Sequence, residues 1–499
     1  MAFNCSLLGA DPVLLELCAH TNLISQDAVD AADSAQAGTN HFFLIWGSSL
    51  VFMMHLGFAM LSAGAIRGKN NKNILLSIVM DLCCCALAWF FCGYAFAFGE
   101  DNGGFIGSSH FVGMDVEDMS FWLFQYCFAA TSATIVSGAI AERARFETYL
   151  LTSTYMSIFV YPVVVHWVWG GGFLTLGKST AVMSTGVIDF AGCGPVHMVG
   201  GVAGAVASKI MGPRIGRFDP VTGKAVPIPG HSSPLATLGT FILWVGWIGF
   251  NCGSALTLAD GGGAVAARAG VMTILCSSAA ALSSMFLSYL LSGRKEFDLT
   301  ACLNGALGGL VSITGCCAFV EMWAAICIGL IGGVIYVGSS RFTLKLAQDR
   351  RPSGRHARAL VLRHVGPCRW CFLCQPRAVG GSIQPRLRGC DLLRPGPRWD
   401  LYGGNTYMTK FGDGTSVMGG DLQGQLLATA LTEIAAVFGW VVLCTLPFFA
   451  LFQVLGVLRV DSQIEAMGID ASAHGGAAYP EDFHPSSDVE KTLKVGEQE

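Results

Sequence analysis

An all-α, polytopic membrane protein is what this sequence predicts, and three observations carry the prediction. Of its 499 residues, 53% are hydrophobic and only 13% charged, and the mean hydropathy is +0.54, outside the balance of a soluble globular domain. Apolar stretches longer than the roughly 18 residues needed to cross a bilayer recur along most of the length. Short polar connections separate them, so one transmembrane domain fills most of the chain.

Residues 1–40 read as a polar extracellular head without the basic start and continuous apolar run of a secretory signal; a cleaved signal is the alternative. Cys5 and Cys18 lie in this head and are expected to pair if it faces an oxidising compartment. Most other cysteines sit inside apolar segments such as DLCCCALAWFFC (81–92), where a free thiol packs as a small hydrophobe. The transmembrane domain is expected over 41–456, with spans near 41–65, 73–98, 120–140, 149–173, 190–211, 234–256, 264–292, 300–315, 322–345 and 423–456. Basic residues mark alternate connections: Arg67, Lys69 and Lys72; Arg143 and Arg145; Lys209, Arg214, Arg217 and Lys224; Arg294 and Lys295; Arg341, Lys345, Arg350 and Arg351. The positive-inside rule places those loops in the cytoplasm and the N-terminus outside, and the acidic GEDNGG (99–104) and VEDM (116–119) fall on the outer side.

Ten spans starting outside would also end outside, yet the polar segment 457–499 reads as a cytoplasmic tail. One span is therefore missing. The anomaly lies at 350–401, where composition switches abruptly to Arg, Pro, Gly and Cys, and nothing there crosses a bilayer unaided. CRWCFLC (368–374) with Cys390, His356 and His364 offers a zinc-like spacing. The preferred reading is instead a pair of compensating frame errors, or a splice anomaly, because shifting residues 350–361 by one nucleotide permits DDPLDATPVHW, with its histidine at Ala359/Leu360.

Several segments carry a family pattern: FQYCFAATSATIVSGAIAERARF (124–146), VVHWVWGGG (164–172), DFAGCGPVHMVGGVAGAVAS (189–208), GWIGFNCGSA (246–255) and GIDASAHGGAAY (468–479). In order and spacing these resemble the ammonium transporter family (Amt/Mep, relatives of the Rhesus glycoproteins), most of all its plant and algal branch, over 41–349 and 419–480. The resemblance implies eleven transmembrane helices per protomer, of which ten are readable here, a homotrimer with one pore per protomer, and residence in the plasma membrane. It implies passage of ammonium or ammonia, no cofactor, no metal and no nucleic-acid partner. No phosphate-binding Gly loop, and no nucleophile and base at recognisable spacing, points to an enzyme.

A physical argument stands beside the resemblance. Ammonium and potassium share charge and approximate size, but only ammonium can give up a proton, and a neutral molecule crosses hydrocarbon at far lower cost than a bare cation. Such a route needs a cation-attracting vestibule and then a dry constriction. Matched to the family motifs, Trp169, Phe128 and Ser254 fall at the external recruitment site, where ring faces attract a cation by roughly 0.5–2 kcal/mol each. Phe128 and Phe250 fall at the gate beneath it, and His197 at the first of two pore histidines. A neutral imidazole suits the constriction because its two nitrogens accept and donate in line. Aromatics in membrane helices also serve as packing residues, and a lone histidine is often structural; His166, outside the pore positions, is assigned that structural role.

Asp189 precedes Gly192, Gly194 and Pro195, so its carboxylate is expected to cap a helix start rather than bind the cation directly. Gly200, Gly201 and Gly204, with Ala203 and Ala205, offer small surfaces for close helix contact. The second pore histidine belongs on the missing span, where His356 and His364 are the candidates by type alone. Ser472 stands where the plant branch has a phosphorylatable threonine, which marks it as a regulatory position. Two other functions remain open: an ammonium sensor that moves its tail, and a Rhesus-type gas channel for ammonia or carbon dioxide.

Overall fold

The computed structural model describes residues 12–259, 261–293, 296–348 and 421–479. Helix α1 runs Pro12–Ala65, and α2 (Asn71–Ala88) passes through a π-turn at Trp89–Gly93 into α3 (Tyr94–Phe98). A two-residue hairpin follows, β1 (Asp101–Asn102) against β2 (Ile106–Gly107), and then α4 (Met119–Ile140). Helix α5 (Phe146–Tyr155) passes through a second π-turn, Met156–Val160, into α6 (Tyr161–Val168). A third π-turn, Cys193–Met198, opens α7 (Val199–Met211). Helices α8 (Ser233–Gly253), α9 (Gly262–Ser292), α10 (Leu299–Thr314), α11 (Met322–Gln348) and α12 (Asp421–Val454) complete the helical domain, and short α13 (Ser462–Met467) and α14 (Ile469–Ala473) lie in the tail.

Among the described residues, eight helices are long and apolar enough to cross a membrane, and Leu299–Thr314 is apolar but shorter. The segment predicted as a span over 190–211 is not one continuous α-helix, because Pro195 and its flanking glycines break the hydrogen-bond ladder into the π-turn. The N-terminal head also differs from a simple polar extension. Residues 12–40 continue as one helix into the first span, since Pro12 starts it and neither Pro nor Gly interrupts it before Gly38. Residues 26–35 of that helix are exposed. Cys18 is disulfide-bonded, whereas Cys5 lies outside the described residues.

Caps fix where several spans begin. The Asp118 carboxylate accepts from Phe121 N–H at 2.9 Å ahead of α4, and Asp298 accepts from Thr300 N–H at 2.9 Å ahead of α10. Helices α1 and α8 cross with their backbones nearly touching: a Cβ at Gly239 would lie 2.2 Å from Leu61 N, and one at Gly64 would lie 2.4 Å from Ala236 N. Small residues permit that approach, and dispersion between the two helices replaces lipid contacts. Similarly, a Cβ at Gly200 would meet Ser132 O at 2.5 Å, so α7 can lie against α4.

One end of the bundle gathers the basic loops and the tail. Glu142, fully buried, pairs with Arg67 at 2.7 Å and Arg214 at 2.6 Å and accepts from Asn70 at 3.0 Å. Arg459 holds Glu465 at 2.7 Å and donates to Met211 O and Pro213 O, while Glu465 accepts from Ile215 N–H at 2.7 Å. Asp470 accepts from Lys72 N–H and Asn73 N–H at 2.9 and 2.8 Å, capping α2 from the far end of the chain. Arg341 donates to Leu291 O at 3.0 Å, which brings the ends of α9 and α11 together. The end of α12 lies on this basic face too, where the Thr148 hydroxyl donates to Val457 O at 2.6 Å. The residues between α11 and α12, with His356, His364 and the CRWCFLC cysteines, lie outside the described residues.

Candidate conduction site

Trp169 ends α6, where its N–H still bonds Val165 O at 2.7 Å, and its indole Nε1–H donates to Asp189 O at 2.8 Å. Asp189 then turns its carboxylate the other way. Oδ1 accepts from Gly192 and Cys193 N–H at 2.9 and 2.8 Å, and Oδ2 accepts from Gly194 N–H at 2.6 Å. One residue thus pins Trp169 through its carbonyl and the π-turn that opens α7 through its side chain. Gly194 must stay small, because a Cβ there would lie 2.2 Å from Glu433 Oε1 and 3.2 Å from Asp189 Oδ2.

Below Trp169 the rings close up. Phe128 lies 6.2 Å from Trp169 between centroids and 4.1 Å from Phe250, edge to face at 87°. Trp169 and Ser254 are half-buried, whereas Phe128 and Phe250 are buried, so exposure falls from the first pair to the second. Ser254 sits one turn beyond Phe250 on α8 and donates its hydroxyl hydrogen to Phe250 O at 2.8 Å. Its oxygen keeps lone pairs that can accept a further hydrogen bond.

His197 lies one layer deeper, on the π-turn, and is fully buried. Its ring stacks on Trp247 at 5.0 Å and 15° and leans on Phe250 at 5.4 Å. Trp247 is held in turn by Thr314, whose Oγ1 accepts from indole Nε1–H at 2.9 Å and donates to Leu310 O at 2.8 Å. Neither Nδ1 nor Nε2 of His197 has a hydrogen-bond partner among the described residues. An unpaired buried polar group costs about 1–3 kcal/mol, so two on one ring call for a ligand, water or partner. The second pore histidine implied by the resemblance lies outside the described residues.

His166 is placed quite differently. Its Nδ1 lies 3.0 Å from Ala97 O and its Nε2 3.0 Å from Asp101 Oδ1, so both nitrogens are engaged. Burial pushes Asp101 upward, but hydrogen bonds from Lys178 and His166 outweigh it and hold this carboxyl below its usual range. Ser472 is exposed on α14 and bonds back to Gly468 O and Ile469 O at 3.2 and 3.1 Å. Among the described residues no His, Cys, Asp and Glu cluster could hold a metal ion.

Three residues at this site carried no separate expectation. Trp247 lies three residues before Phe250, hence on the same helical face, and that spacing was its one signal. Thr314 and Glu433 come from distant helices, and nothing local in the sequence links them to His197 or Asp189.

Residues 41–350 and 402–479 match the sequence profile of the Ammonium Transporter Family. The chain belongs to the ammonium transporter family. The match is interrupted at 351–401, within the Arg- and Pro-rich block, and resumes before residue 419. Ammonium transporter 1 member 3 of Solanum lycopersicum is 38% identical over 459 residues, covering 88% of this chain and 93% of its own. Ammonium transporter 3 of Dictyostelium discoideum is 34% identical, covering 91% of this chain and 98% of its own. Among solved structures, a sensor Amt protein superposes with a TM-score of 0.70 at 27% identity, covering 89% of this transporter and all of that chain. Mep2 of Saccharomyces cerevisiae gives a TM-score of 0.64 at 26% identity, covering 85% of this chain and 89% of its own. The transporter is thus an all-α, multi-pass membrane protein of a family that moves ammonium or ammonia through a hydrophobic, histidine- and aromatic-lined channel, and it is not an enzyme.

Proposed function

We propose that ammonium is recruited from outside by the faces of Trp169 and Phe128 and the Ser254 oxygen, sheds its proton at the Phe128/Phe250 gate, and passes as ammonia along His197. The observation that carries this reading is the graded site itself: a half-buried aromatic mouth, a closed ring pair, and beneath them an imidazole with both nitrogens unengaged. Potassium has no proton to give, so selection rests on acidity rather than radius. Asp189 acts as a scaffold for Trp169 and the π-turn, and its charge favours a cation in the vestibule at a distance.

The basic loops and the tail docked on them face the cytoplasm, the N-terminus faces outside, and the protomer works as a homotrimer in the plasma membrane. Phosphate on Ser472 would add up to two negative charges beside the tail's contact with α2 and weaken it. The likeness to a sensor Amt protein favours a second reading, in which the same site switches the tail without flux. The cation-accepting pair Trp169 and Ser254 weighs against a channel for neutral gas alone, which needs no such site.

Uptake of labelled methylammonium by transporter-deficient cells tests both the reading and the anomalous block. The chain as written is expected to conduct poorly, because the block at 350–401 stands in place of the tenth span that the family resemblance implies, and a chain with that block reframed is expected to transport. Equal uptake by the two would overturn the frame-error reading. Potassium current as large as ammonium current through the reframed chain would overturn selection by acidity.

A further inference from the structure

Asp81 lies on α2, inside a predicted span and wholly buried, on the face of α4 that carries Ala130 and Thr134 rather than the gate residue Phe128. An ionisable side chain at such depth marks function by default, and the conduction site does not use it. The Thr134 hydroxyl bonds Asp81 Oδ2, and the same Thr134 Oγ1 lies 2.8 Å from Ala130 O. A threonine hydroxyl has one hydrogen, yet here it faces two acceptors. One hydrogen can serve both only as a shared, bifurcated bond, whereas a proton on Asp81 Oδ2 gives each contact its own, Asp81 donating to Thr134 Oγ1 and Thr134 to Ala130 O. Thr314 beside the pore shows the ordinary arrangement, receiving an indole N–H and donating to a carbonyl.

The surroundings suit a proton and no larger guest. Cys85 Sγ lies 3.4 Å from Oδ1 and receives the Ser157 hydroxyl at 2.8 Å. The hydroxyls of Tyr149 and Ser153, on residues 3% and 1% exposed, lie beside the same carboxyl and turn a polar lining toward it. The titratable groups facing Asp81 are Cys84 and Cys85 on α2, Tyr126 on α4 and Tyr149 on α5; on α1, His55 lies against the Ala130 backbone. Among the described residues no lysine, arginine or histidine forms an ion pair with Asp81. Just above, the π-turns of α2–α3 and α5–α6 abut, where a Cβ at Gly93 would lie 2.5 Å from Ser157 O, and π-turns gather at functional sites.

We propose that Asp81, with Thr134, Tyr149 and Ser153, forms a proton-binding site separate from the pore. On unloading, the carboxyl passes its proton to water as hydronium. The Thr134 hydrogen then swings from Ala130 O to Oδ2 and stabilises the carboxylate that remains. The site rests on the transport reading only for its use, as a station for protons that ammonium sheds.

Infrared difference spectroscopy of the full-length chain in lipid, across a pH step, tests this without measuring flux, so a chain that conducts nothing still answers. A protonated-carboxyl C=O band is expected that disappears as pH rises, is missing in Asp81→Asn, and moves to higher frequency in Thr134→Val, which removes its acceptor. Thr134→Val keeps the test alive if Asp81→Asn fails to fold. A band unchanged in both variants, or an Asp81 band that persists at every pH at which the protein stays folded, would overturn the proposal.

Discussion

His197 and Glu142 are both buried polar side chains, and their surroundings are opposites. The imidazole has two nitrogens with nothing to bond among the described residues, whereas the carboxylate is held by Arg67, Arg214 and Asn70 at once. Under the proposed reading His197 receives a passing molecule and is left incomplete for it, on a ring that Trp247 and Thr314 hold in place. A group that joins loops to a tail has to be saturated, since an unpaired charge in that place would be worth several kcal/mol against folding.

Removing the saturated carboxylate should produce the largest effect. Glu142→Ala leaves two guanidiniums facing each other and is expected to cost about 3–5 kcal/mol, read as a lower midpoint of thermal unfolding in detergent. A loss under about 1 kcal/mol would show that the basic face is not held by this pairing. The same group gives a pH signature. Burial alone would raise its pKa, but Arg214 and Arg67 overcome burial and hold it below the ordinary glutamate range. A depressed folded value means that its contribution is complete above the unfolded value of about 4.3 and is lost as pH falls through the folded one. The acid-side fall in melting temperature should therefore be shallower in Glu142→Gln.

Next in size comes Asp189→Ala, which strands three N–H groups at about 1–3 kcal/mol for each buried one left unmade, with losses that do not simply add. In the reframed chain it should abolish uptake, while Asp189→Asn, which keeps one accepting oxygen, should retain part of it. Full uptake by the alanine variant would remove the scaffold role. Ser254→Ala should do least: it takes away one lone-pair contact, about 1 kcal/mol or roughly fivefold in apparent KM, with maximal uptake kept. Loss of maximal uptake with KM unchanged would move Ser254 from recruitment to the gate.

Of His197 and Glu142, only the surroundings of His197 were partly legible before any coordinates. The spans follow from local apolar pattern, and the aromatic positions, Phe250 among them, from the resemblance to the family. The rest depends on pairings far apart in the chain. Nothing near Glu142 announces Arg214, and nothing near Trp247 announces Thr314, because each meeting is set by helix packing rather than spacing. The helical head and the π-turn at Cys193–Met198 were missed for another reason. A run free of Pro and Gly extends a helix past its apolar part, and a single Pro amid glycines reorganises a ladder without ending it.

The glycine seam between α1 and α8 bears on how such a chain is made. The first span to leave the ribosome has, as its tightest neighbour, a helix translated only after every span between them. Until then its notched surface rests against lipid or a caretaker, and closing the seam is one of the late events of assembly. A bulky side chain at Gly64 or Gly239 would therefore strike biogenesis first, showing as rapid turnover of newly made protein rather than as a sluggish transporter.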